Sequence, residues 1–177
     1  MPRIAPLQRG HADPTTAATL DALKVKLGMV PNLFLTFARA PATLDAYLGF
    51  GDSLSKGKLT ARQREIISLA VAQANSCQYC LSAHTALGKR AGLSESEVRD
   101  ARAGGAPDRL DAAVAALSVQ ILQKRGSISD SDFEAAKASG LDESMMVEIL
   151  GNVALNILTN YTNNFARTDI DFPVVTV

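Results

Sequence analysis

Apolar residues recur along the chain at helical spacing and not in alternation. Leu20, Leu23 and Leu27 share one face of a segment that Asp13 and Pro14 open as N-cap and first-turn proline and that Gly28 stops. A short helix is predicted from Asn32 to Arg39, ended by Pro41, after which Leu44, Tyr47, Leu48, Gly51 and Leu54 keep the spacing as far as Gly57. Ser94-Glu95-Ser96-Glu97 is a capping-box pattern that starts a helix toward Arg102. Leu110, Val114, Leu117 and Ile121 form the next stripe, closed by Gly126, and Ser129 with Asp130 and Asp132 caps another that runs to Gly140. Asp142 opens the longest helix, with Met146, Ile149, Leu150, Val153, Ile157, Leu158 and Tyr161 at positions suited to the core or a subunit interface. Residues before about Ala12 read as an extended arm. The β-branched, apolar tail from Ile170 to Val177 is expected to pack across a neighbouring subunit.

One stretch departs from this amphipathic pattern. After Thr60 the run Ile66, Ile67, Leu69, Ala70, Val71, Ala72 and Ala74 is apolar on nearly every side, which predicts a helix buried all round. Asn75 and Ser76 interrupt it, with Ser76 placed to cap a second helix running to about Ala91, where Lys89 and Arg90 fill the last turn and Gly92 ends it. The fold class that follows is all-α, with a buried helical hairpin at its centre. Residues 1–177 read as a single helical domain: an N-terminal helical arm over 1–58, the hairpin over 59–92, and C-terminal helices and tail over 93–177. Gly104, Gly105 and Pro107 form a connecting loop and not a domain boundary, because the helices on either side are too few to bury their faces alone.

Composition supports this and narrows the function. Alanine and leucine are abundant and tryptophan is absent, which suits small-residue helix packing. Eighteen basic residues balance eighteen acidic ones with no basic block, so neither nucleic acid nor an anionic membrane is an expected partner. The opening MPRIAPLQRGHADP lacks the apolar run of a signal peptide, and the late apolar segment Ile149 to Ala166 carries Asn152, Asn156, Asn160, Asn163 and Asn164, too polar to prefer a bilayer. A cytoplasmic protein is expected. In a reducing cytosol a lone C-x-x-C reads as a dithiol that cycles and not as a staple.

The hairpin carries the chemistry. Cys77, Cys80 and His84 fall at i, i+3 and i+7, on one helical face, and folding about Asn75 and Ser76 brings Glu65 back to the depth of His84. Two thiols, an imidazole and a carboxylate are the set that dithiol redox chemistry needs. The thiolate is the nucleophile, its pKa of roughly 8.5 falls at a helix N-terminus or beside a base, and His84 with Glu65 can relay protons. The helix dipole favours Cys77 as the reactive sulfur and the i+4 histidine favours Cys80, so spacing leaves the order open. A non-catalytic helical oligomer holding a metal on Cys77, Cys80 and His84 is the competing reading, although structural zinc sites generally draw on two separated ligand pairs. Covalent haem requires His directly after the second Cys, where this chain has Leu81. No phosphate-binding glycine loop or dinucleotide fingerprint is present, so no cofactor is indicated.

Glu65, Cys77, Cys80 and His84 in this spacing resemble the active-site pattern of alkylhydroperoxidase D-like proteins, in the wider carboxymuconolactone decarboxylase superfamily. Val30-Pro31-Asn32-Leu33-Phe34, Asn160-Tyr161-Thr162-Asn163 and Asp171-Phe172-Pro173 resemble its peroxidase-related subgroup. The resemblance implies an all-helical homo-oligomer, a trimer or hexamer, that reduces a hydroperoxide substrate with electrons from an external dithiol or protein reductant. It further implies that Cys80 attacks the peroxide and is resolved by Cys77, with His84 and Glu65 as the proton relay. Some family members have a second His between the cysteines, where this chain has Tyr79. A phenol is a poor base near pH 7, which keeps a disulfide oxidoreductase or adaptor as an alternative. A weak internal echo aligns Glu65-Ile66-Ile67 with Glu148-Ile149-Leu150 and sets Asn160, Asn163 and Arg167 opposite Cys77, Cys80 and His84.

Overall fold

Six helices open on a polar side chain that accepts backbone N–H groups of their own first turn, and these caps set the element order. The computed structural model describes residues 1–177 and contains α1 (Pro14–Leu27), α2 (Asn32–Phe37), α3 (Pro41–Ser55), α4 (Ala61–Ala74), α5 (Gln78–Arg90), α6 (Glu95–Arg102), α7 (Arg109–Gln123), α8 (Asp130–Ala138) and α9 (Glu143–Ala166), with no strand. Asp13, Thr60, Ser94, Asp108, Ser129 and Asp142 are the caps, and Thr60 and Ser94 form full capping boxes with Gln63 and Glu97. The all-α expectation is met. The short second helix ends at Phe37, two residues before the expected Arg39, and Pro41 both closes that turn and occupies the first position of α3. No helix is long and apolar enough to cross a membrane.

The central helix is α4, which packs against α5, α6, α7 and α9. Its apolar residues divide between two cores. Ile66, Leu69 and Ala72 join the cluster built with α1, α2, α3, α5 and α6, while Ile67 and Val71 join the one built with α7, α8 and α9. The two sets follow i, i+3, i+6 and i, i+4, so opposite faces of one helix are filled by opposite halves of the molecule.

Polar contacts fix both ends of α4. At its start Arg62 Nε donates to Asp111 Oδ2 at 3.0 Å and Nη2 to Glu97 Oε1 at 2.6 Å, while Gln63 Nε2 donates to Asp111 Oδ1 at 3.1 Å. Glu148 of α9 accepts the Lys58 and Leu59 amides at 2.9 and 3.1 Å, and Gly57 leaves room for that carboxylate, since a Cβ there would lie 2.4 Å from its oxygen. The sequence echo between Glu65 and Glu148 therefore joins two residues with different work: Glu148 holds the turn before α4.

The tail departs from expectation. Val175 N–H donates to Ser82 Oγ at 3.0 Å, Arg102 Nη2 donates to Thr176 O at 2.7 Å, and Ile170, Phe172 and Val175 pack on the first core of their own chain. The apolar surface that was expected to need a neighbour is partly covered at home. The outer face of α9 shows the reverse. Leu150, Leu158 and Tyr161 are exposed, and the buried side of its second half is lined by asparagines.

Arg62 and the Ser94 cap hold the Glu97 carboxyl at about 2, below its ordinary 4.5. The lowered value favours the charged, folded form, so this contribution is complete above pH 4.5 and is lost as the pH falls from there to about 2. Urea midpoints measured across that window are expected to drop, and Glu97→Gln is expected to flatten that part of the profile.

Candidate active site

The hairpin turn is made by backbone before any functional side chain is placed. Cys77 N–H donates to Ala72 O at 2.9 Å and Ser76 N–H to Gln73 O at 3.0 Å, the pairing of a Schellman motif, with Ser76 in the left-handed region at φ 50°. Ser76 is thus the terminator of α4 and not the cap of α5. That cap is Cys77, whose Sγ accepts the Cys80 amide at 3.3 Å. Ending one helix and starting the next without a spacer sets Cys77 at the boundary and Cys80 in the first turn. Their sulfurs are joined in a disulfide, with Cα atoms 5.2 Å apart. The pair is deeply buried, Cys77 at 0% and Cys80 at 2% exposure.

His84 lies one turn beyond Cys80, and its Nδ1 is 2.9 Å from Glu65 Oε2 on α4. Both side chains are about four-fifths buried. With a carboxylate as acceptor, Nδ1 carries the proton and Nε2 is left to exchange one. All four residues singled out in the sequence, Glu65, Cys77, Cys80 and His84, are therefore brought together, with the carboxylate and imidazole in direct contact. No group of three His, Cys, Asp or Glu side chains is arranged to hold a metal ion.

Tyr79 occupies a separate role. Its hydroxyl accepts the Leu33 amide at 3.3 Å, its ring meets Phe172 edge-on at 5.8 Å, and burial, with the Asp171 carboxylate adding to it, pushes the phenol far above its ordinary range. The flanking segments converge behind it. Asp171 Oδ2 accepts the Asn32 amide at 2.7 Å, and Asn32 Nδ2 donates to Asp169 O at 2.9 Å. Between α2, α3, α5 and the tail lies a cavity of about 410 Å³, lined by Phe34, Tyr47, Tyr79, His84 and Phe172 among others. The imidazole faces this space and the sulfurs do not line it. Burial and then the Glu65 carboxylate push the Tyr47 phenol up to about 12.

Sequence reasoning missed one group that touches a sulfur. Asn163 Nδ2 donates to Cys80 Sγ at 3.4 Å, and Asn75 Nδ2 donates to Asn160 Oδ1 at 3.0 Å. The signal was the 4, 4, 3 spacing of Asn152, Asn156, Asn160 and Asn163, which puts four amides on one face of a helix.

The all-helical fold is similar to that of an alkylhydroperoxidase core. Residues 41–120 match the carboxymuconolactone decarboxylase family. The structure is similar to that of a peroxidase-related protein with an alkylhydroperoxidase core from Ralstonia eutropha JMP134, at 24% identity and TM-score 0.86, covering 96% of this chain and 92% of that one. A peroxidase-related protein from Silicibacter sp. TM1040 aligns at 21% identity and TM-score 0.80, over 94% and 91% of the two chains. The debrominase Bmp8, solved as a cysteine-to-alanine variant with 2,3,4-tribromopyrrole, aligns at 20% identity and TM-score 0.79, over 95% and 91%. No curated protein matches the chain.

Replacing Tyr79 by Phe leaves the buried Leu33 amide without its acceptor. Denaturant unfolding of Tyr79→Phe is expected to show a loss of about 1–3 kcal/mol.

Proposed function

We propose that the protein is a cytoplasmic thiol peroxidase that reduces organic hydroperoxides through Cys80 and Cys77. The observation that carries this reading is a cysteine pair, closed as a disulfide at the start of α5, one turn before an imidazole already bonded to Glu65. In the reduced protein His84 Nε2 takes the proton of the Cys80 thiol, and the thiolate attacks the peroxide. An S–O bond forms, the O–O bond breaks, and the leaving alkoxide takes a proton from His84, which Glu65 holds in place. The Cys77 thiolate then attacks Cys80 Sγ, forming the disulfide and releasing hydroxide, which is protonated to water. An external dithiol supplies two electrons to restore both thiols.

The cavity beside His84 supports an organic substrate. At about 410 Å³ and lined largely by aromatic and aliphatic side chains, it far exceeds what hydrogen peroxide needs, since a water molecule takes roughly 30 Å³. A second reading, a disulfide oxidoreductase that meets peroxide slowly, is favoured by Tyr79, whose buried phenol cannot serve as a second base. The likeness to a debrominase makes a brominated pyrrole a useful third substrate for comparison.

A homo-oligomer, a trimer or hexamer, is part of the same proposal. Val147, Leu150, Leu158, Tyr161 and Phe165 are exposed along one side of α9 at spacings of three or four residues or their sums, an apolar stripe suited to a second copy. Light scattering of the purified protein is expected to give a multiple of 18.7 kDa, and Leu158→Asp to shift it toward the monomer.

The functional reading is tested by counting free thiols in the reduced protein before and after one equivalent of cumene hydroperoxide, with mass spectrometry to locate the product. Loss of two thiols to a Cys77–Cys80 disulfide is expected, together with no turnover in Cys80→Ser above the protein-free rate. Two thiols that stay free, or full turnover in Cys80→Ser, overturn it. Faster reaction with a disulfide substrate than with the hydroperoxide selects the oxidoreductase.

A further inference from the structure

Asn163 is 3% exposed, in the last two turns of α9, and it spends its amide unusually. Its Nδ2 donates to Cys80 Sγ at 3.4 Å, while its Oδ1 is buried with no hydrogen-bond partner. The asparagines above it are used differently: Asn152 and Asn156 donate to the carbonyls of Glu148 and Asn152, four residues earlier on their own helix. Asn160 is tied to Asn75 at the hairpin turn. An amide placed only for packing would be expected to match its acceptor, as buried polar groups generally do.

We propose that Asn163 is a catalytic residue that stabilises the Cys80 sulfur as a thiolate. The proposal rests on the reading of Cys80 as the cysteine that cycles through the thiolate. Reduction by an external dithiol proceeds through a mixed disulfide, and when the S–S bond breaks the departing sulfur holds the negative charge until a proton reaches it. Burial disfavours that charge, and an N–H aimed at the sulfur favours it. The Cys80 backbone amide serves Cys77 in this way, and Asn163 serves Cys80. Once Cys80 becomes a sulfenic acid, the unmatched Oδ1 is an acceptor for its O–H.

The surroundings make a neutral donor the informative feature. Glu65 on α4, His84, Tyr79 and Arg90 on α5, Tyr47 on α3, Arg102 on α6 and Asp171 in the tail are the titratable and charged groups around the hairpin site. The acidic groups of α9, Glu143 and Glu148, lie fifteen or more residues before Asn163, about 22 Å or more along the axis, and Arg167 is exposed. From α9, then, Cys80 meets an amide and no ion.

The test uses the reduced full-length chain in a Cys77→Ser background, so that one thiol remains. Its pKa is read from thiolate absorbance near 240 nm and from the pH profile of iodoacetamide alkylation. Adding Asn163→Leu is expected to raise the thiol pKa by about one pH unit, so that alkylation at a pH below both values slows about tenfold. Asn163→Asp, which keeps the shape but brings a carboxylate in place of the donor, is expected to raise it further, and it carries the test if the leucine variant does not fold. A thiol pKa unchanged in either folded variant overturns the proposal. If the pKa moves but hydroperoxide leaves the wild-type thiols free, Asn163 keeps its role and the peroxidase reading fails. If the pKa is unchanged but peroxide still drives disulfide formation, the role of Asn163 fails and the peroxidase reading stands.

Discussion

Burial of α4 on every side is the constraint from which the rest of the site follows. A helix with only one apolar face can rotate or slide with small losses, but Ile66, Leu69 and Ala72 are claimed by one core and Ile67 and Val71 by the other. Turning α4 about its axis would draw one set out of its cluster as it drove the other deeper. Glu65, next to Ile66, inherits that fixed azimuth. Its carboxylate therefore reaches His84 at 2.9 Å without a long search over rotamers of two mobile helices.

The turn after α4 converts that rigidity into sulfur geometry. With Ser76 left-handed and both Schellman hydrogen bonds made, Cys77 has no freedom to drift from the start of α5. A Ser in this conformation is less favourable than a Gly would be, by roughly 1–2 kcal/mol. The fold carries that strain because the surrounding hydrogen bonds and cores over-determine the turn. Strain of this kind adjoins the one position where the backbone must pass from one helix to the next with a sulfur between them.

Much of this arrangement is legible in the residues. The i, i+3, i+7 spacing and the fold-back of Glu65 require only helical periodicity and a two-residue break, and helix existence follows from caps such as Asp13, Thr60, Ser94 and Asp142. Ser76 reads as a cap because Ser is a common one, and nothing local distinguishes a capping Ser from one forced into a left-handed turn when a cysteine can take over the cap. The tail points to a neighbour because β-branched composition reports that a segment will be covered and not by what. Ser82 and Arg102, which hold Val175 and Thr176, are ordinary residues at a distance of 93 and 74 positions. The asparagines of α9 read as polarity and not as a face, which hides the inverted helix: amides inward, Leu158, Tyr161 and Phe165 outward.

That inversion also bears on the two cysteines, for which helix dipole and histidine give opposite answers. The dipole argument treats Cys77 as an open cap facing solvent, but this Cys77 is fully buried and its sulfur is already occupied by the Cys80 amide. What the helix terminus offers Cys77 is therefore one backbone N–H set against the desolvation of a fully buried sulfur. Cys80 is the sulfur with a second element against it, and that element presents an amide instead of a charge. A lysine or arginine would hold a thiolate more tightly but would itself need a counterion in a site this buried, and it would stabilise the thiolate so far as to weaken it as a nucleophile. On the proposed role of Asn163, a neutral N–H would offset part of the desolvation and leave the sulfur reactive. Of the inward asparagines of α9 only Asn163 reaches the sulfur; Asn152 and Asn156 donate to carbonyls of their own helix and Asn160 accepts from Asn75 at the turn.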